Sequence, residues 1–197
     1  MTSNSGLEVT QGHWKWYHSK ASSVCKSAYY SIKALHYIRQ VLTCDMARAV
    51  AASSTQTRLD FANSVLNGTS GSNIYKLQRV QNCLARVVLQ DYSNSATSLL
   101  SEELHWLLVN KRINFKIATL ACQSLAFGQP TYLSSVLTPH QSQWSLRSVN
   151  QNLLSVPRCN SSFGQRSFSY CAPKIWNDIP LSVNSDSPLH STALSAT

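Results

Sequence analysis

The chain has 197 residues, 43% of them apolar and 13% charged, which excludes an intrinsically disordered chain and suffices for one domain with a sizeable core or two small ones. Seventeen Lys and Arg stand against eight Asp and Glu, a formal charge of +9. The excess comes from scarce acids and suits a surface facing a polyanion, because each neutralised phosphate releases counterions.

Residues 1–18 mix Trp14, Trp16 and Tyr17 with His13, Lys15 and His18 and read as a strand or a frayed tail. From Ser19 the spacing changes. Val24, Ala28, Ile32, Leu35 and Leu42 recur at steps of three, four and seven, which places them on one helix face with Lys26 and Lys33 opposite. Thr43 then reads as an N-cap, with Asp45 in the first turn at the positive end of the helix dipole. Met46, Val50, Leu59, Ala62 and Leu66 continue a helical stripe that ends at Asn67-Gly68. Ser72 is the expected cap of the next helix. There Ile74, Leu77, Gln81, Leu84 and Val88 mark an inward stripe, while Lys76, Arg79 and Arg86 fall on the other side at about 100° per residue.

A short segment with Leu99, Leu104, Trp106 and Leu107 leads into a longer helix with Ile113, Ile117, Leu120 and Leu125 inside and Lys111, Arg112 and Lys116 near its start. Gly128 and Pro130 terminate it, and Tyr132–Leu137 has room for a further turn or two. Beyond His140 the chain is Ser-rich. Leu153-Leu154-Ser155-Val156 is compatible with a strand, and Phe168, Ala172, Ile175 and Ile179 have helical spacing interrupted by Pro173. Asn184–Thr197 shows neither periodicity nor much charge, the composition of a disordered tail.

Two-metal nucleotidyl transfer needs clustered carboxylates, but Glu8, Asp45, Asp60, Asp91, Asp178 and Asp186 are isolated and Glu102-Glu103 opens an apolar segment. They read as helix caps and solvated surface. Gly-rich phosphate loops, HExxH and GxSxG are absent, so no catalytic residue, cofactor or small-molecule substrate is expected. The six cysteines lack metal-ligand spacing and read as reduced thiols, and no metal site is expected. No run reaches the roughly 20 apolar residues of a membrane span, and no signal peptide opens the chain; an intracellular protein without a membrane partner is expected. Lys76, Arg79, Arg86, Lys111, Arg112 and Lys116 are the candidate nucleic-acid contacts, since cations on one helix face can track a phosphate backbone. Trp106 and Trp176 read as core anchors.

Several strings carry a family likeness. Arg58-Leu59-Asp60-Phe61-Ala62-Asn63-Ser64 is followed by Lys76-Leu77-Gln78-Arg79-Val80-Gln81-Asn82, then Leu104-His105-Trp106-Leu107, Arg112-Ile113 and Phe115-Lys116-Ile117. Leu153-Leu154-Ser155-Val156-Pro157-Arg158, Phe163-Gly164-Gln165-Arg166-Ser167-Phe168 and Ala172-Pro173-Lys174-Ile175-Trp176-Asn177-Asp178-Ile179-Pro180 close the series, and Val24-Cys25-Lys26-Ser27-Ala28-Tyr29 with Ile38-Arg39 opens it. In this order they resemble the region downstream of the catalytic palm in reverse transcriptases of LINE-type, jockey-like non-LTR retrotransposons. The resemblance implies the end of a palm-like segment or a tail over 1–18, a thumb-like helical region over 19–90, a C-terminal region over 98–180 and a tail over 181–197, with the fingers and the catalytic aspartates of the palm having no counterpart here.

The chain departs from the family at Leu108, where a proline is usual, and at Phe61-Ala62; Pro188–Thr197 stands in place of a final basic helix. The expected architecture is mainly α: a thumb-like bundle, then a smaller helical region with room for a short β-hairpin. The expected function is a remnant of an RNA-directed DNA polymerase that binds RNA or an RNA–DNA hybrid without activity of its own. A working reverse transcriptase completed by missing upstream palm and fingers, and a relic reading frame without function, are the alternatives.

Overall fold

The computed structural model describes residues 5–92, 99–140 and 153–180, with side chains from residue 19 onward. Mainly α architecture is what these residues form. Helix α1 runs Ser5–Ile38, beginning well before the expected Ser19. Between 5 and 18 only Gly6 and Gly12 oppose a helix, at about 1 kcal/mol each, and extending a nucleated helix is easy. Ala21, Cys25, Ala28, Ile32 and Leu35 form its buried stripe, which the half-buried Val24 flanks and which Arg39 continues beyond the helix. Arg39 donates from Nε to the Val88 carbonyl and from Nη1 to that of Leu42, both at 2.8 Å.

Helix α2, Cys44–Ala51, begins as expected: the Thr43 hydroxyl accepts from the Met46 N–H, and Asp45 lies in the first turn. Its inward residues are Ala47 and Ala51, whereas Met46 is exposed. The stripe is shifted by one residue because the small alanines allow closer packing than Met46 would. A π-type turn, Ala52–Gln56, leads to the short α3, Thr57–Asp60. Ala62 adopts a left-handed φ of 49° and is exposed, so the expected stripe breaks there and resumes at the buried Leu66.

Helix α4 spans Gly71–Leu89. Its cap is Ser70, whose carbonyl accepts from Asn73 and Ile74 at 2.9 and 3.3 Å; Ser72, the expected cap, already lies inside the helix. Leu77, Val80, Gln81, Leu84 and Val88 are buried. Gln81 is tolerated because its Nε2 donates to the Leu107 carbonyl at 2.8 Å, while Gln78 accepts from the Val109 N–H at 2.9 Å. These two amides bind residues 104–109 to α4. The chain divides into compact units at Met1–Ile113 and Asn114–Thr197.

Helix α5, Val109–Phe127, buries Ile113, Ile117, Ala121 and Ser124, with Leu120 and Leu125 half-buried. Gly128, at φ 63°, ends it as expected, and α6, Thr131–Ser134, adds one turn. In the second unit the described part of the expected hairpin holds one antiparallel bridge, Pro139 with Leu154, flanked by the His140 N–H on the Leu153 carbonyl and the Ser155 N–H on the Thr138 carbonyl, both at 2.8 Å. Both backbone groups of Leu154 are held at 2.9 Å by the side-chain amide of Asn177. Asn177 ends helix α7, Phe168–Asn177, which accommodates Pro173 and buries Trp176. Trp106, the other expected core anchor, is only half-buried. The expected tail from residue 181 lies outside the described residues.

Candidate nucleic-acid interface

Two helices supply the charged surface of the first unit, and their residue pairings set its geometry. Cys25 feels the charge of Lys76, and Tyr29 feels Arg79 and Cys83; further along, Arg39 bonds to Val88. Residue numbers rise together along both helices, so α1 and α4 lie side by side and parallel. The segment between them returns along α1, since Arg58 donates to the Ser27 hydroxyl and Lys20 to the Ala62 carbonyl at 3.3 Å.

Lys76, Arg79 and Arg86 lie within an arc of about 80° on α4, at 100° per residue. Arg79 is exposed, with its guanidinium 6.0 Å from the Tyr75 ring centroid. Lys76 is half-buried at the edge facing α1, and Arg86 is half-buried with a buried Nε. Beside them α1 presents Lys26 and Lys33, both exposed. The sequence places these two lysines opposite the α1 core, but periodicity within one helix does not reveal that α4 brings its own cations alongside. Neither α4 nor residues 19–38 of α1 contain an Asp or Glu. Five cations therefore lie as a seam on two neighbouring helices whose residues 19–38 and 71–89 contain no acid.

The cations of α5 are arranged differently. Arg112 donates from Nη1 to Asp60 at 3.1 Å and from Nη2 to Gln56 Oε1, so its charge is turned into the fold. Lys111 and Lys116 are exposed, but five residues separate them by about 140° around the helix, and they do not share a face. The sequence brings these three together in number; the helix does not bring them together in space.

No protein-family model, curated protein or solved structure matches the chain.

The remaining chemistry of the described residues is sparse. No three His, Cys, Asp or Glu side chains among them gather so as to hold a metal ion, and none of their helices is long and apolar enough to cross a membrane. Burial raises the Cys25 thiol pKa, against the lowering effect of nearby Lys76. Burial also raises that of the Tyr29 phenol, aided by Cys83 and Cys25 and opposed by Arg79. What the seam offers is fixed positive charge on a helical surface, the chemistry of phosphate binding.

Proposed function

We propose that this chain is a remnant of the post-palm region of a LINE-type reverse transcriptase that binds nucleic acid and performs no chemistry of its own. The ordered series of strings from Val24 to Pro180 supports the origin. The observation that carries the binding function is the seam of Lys26, Lys33, Lys76, Arg79 and Arg86 along two parallel helices free of acids over 19–38 and 71–89. Such a surface contacts phosphates without reading bases, so binding is weak, tolerant of sequence and sensitive to salt. Lys111 and Lys116, on separate faces of α5, add general attraction.

Fluorescence anisotropy with a labelled RNA–DNA hybrid tests this reading. Four or five phosphate contacts should weaken binding about a hundredfold or more between about 50 and 200 mM salt. The double substitution Lys33→Ala, Arg79→Ala should weaken it further at low salt while leaving the circular dichroism spectrum unchanged. A folded chain that binds neither the hybrid nor a single strand at the lower salt would overturn the proposal.

A further inference from the structure

The seam carries aromatic rings as well as cations. On α1, Lys26, Tyr30, Lys33 and Tyr37 follow at steps of four, three and four, so they form one outward stripe in which charge and ring alternate. Tyr30 is 79% exposed and Tyr37 73%. Across the seam Tyr75 is 65% exposed with Arg79 against its ring, and Tyr29, 41% exposed, lies near Arg79. Where α1 and α4 end together, a cleft of about 400 Å³ has Tyr37, Arg39, Gln40, Gln90 and Tyr92 among its lining residues. Tyr37 thus belongs both to the stripe and to the cleft.

Cations alone suffice to hold a duplex, whose base faces are stacked on one another and unavailable. Exposed rings interleaved with cations suit a strand whose bases are free, because every base has a π-face and its backbone a phosphate. We propose that the α1–α4 seam holds an unpaired nucleic-acid strand, with phosphates on Lys26, Lys33 and Arg79, bases stacked on Tyr30 and Tyr37, and one base seated in the cleft between Tyr37 and Tyr92. The amides of Gln40 and Gln90 offer that base both donors and acceptors. This inference rests on the reading of the seam as a nucleic-acid surface and adds the strandedness of its ligand. RNA and DNA single strands share the chemistry invoked.

The test compares single-stranded RNA, single-stranded DNA of the same sequence and the RNA–DNA hybrid, by anisotropy at one salt concentration, on the full chain and on Tyr30→Ala, Tyr37→Ala, Tyr30→Phe and Tyr37→Phe. Both tyrosines are exposed, and circular dichroism checks that each variant folds. A stacking residue changes affinity by about fivefold or more on truncation to alanine. Each alanine variant should lose that much for single strands and little for the hybrid, while the phenylalanine variants keep the affinity. Tighter binding of a single strand than of the hybrid, weakened by the alanine variants, supports the proposal, and the tighter of the two single strands identifies the preferred sugar. Equal affinity for single strands and hybrid, unchanged by the alanine variants, overturns this inference and leaves the nucleic-acid reading standing. A folded chain that binds no oligonucleotide, including one that binds vesicles of phosphatidylserine and phosphatidylcholine instead, overturns both.

Discussion

Arg112 and Arg79 show how differently two arginines of one basic protein can be used. Arg79 lies exposed on α4 beside Tyr75, whereas Arg112 joins Asp60 and Gln56, more than fifty residues away in the chain. Asp60 also accepts from Asn63 Nδ2 at 3.3 Å, so the carboxylate ties α3 and the following turn to α5. Arg112→Ala should destabilise the fold by about 1–3 kcal/mol, toward the lower end because Asp60 is partly solvated, as read from urea unfolding. It should leave the salt dependence of nucleic-acid binding unchanged. Cys25 provides a second residue-level test. Burial raises its pKa and so lowers the fraction of reactive thiolate, and the same burial limits access to it. Alkylation followed by mass spectrometry should label the less buried Cys159 well before Cys25; comparable rates would show that the α1 stripe is open to solvent.

At the scale of the element, ends and faces were legible where local chemistry decides them. Thr43 caps α2 and Gly128 ends α5, both as the sequence predicts. Gly128→Ala should cost about 1 kcal/mol by equilibrium unfolding, since φ is 63° and strain, not a clash, opposes a Cβ that meets no atom within 4 Å. Leu84→Ala, at a fully buried α4 position, should cost about 2–5 kcal/mol in the same assay. Helix α1 starts before Ser19 and α4 is capped at Ser70 rather than Ser72, because intrinsic propensity is only a weak guide to where a nucleated helix stops. Around Leu154 the described residues pair with 138–140 through one bridge, and the Asn177 amide satisfies the N–H and carbonyl of Leu154 that face away from that pairing.

At the scale of the molecule, the charge of +9 matters through its distribution. If four or five seam cations contact a single strand, the logarithm of the binding constant should fall against the logarithm of salt concentration with a slope of about −3. Lys33→Ala should make that slope shallower by somewhat under one, and an unchanged slope would remove Lys33 from the contact. The sequence by itself determined the mainly helical class, the arc of cations on α4 and the scarcity of acids, because a helix face is set by residues within a few turns of one another. Only the tertiary structure decided that α1 and α4 lie parallel, that Lys26 and Lys33 therefore extend the α4 arc into a seam, and that Arg112 is withdrawn from it. Those outcomes depend on the path by which residues 39–70 return along α1 and on a pairing across the chain between Asp60 and Arg112. No periodicity within one helix encodes such a path.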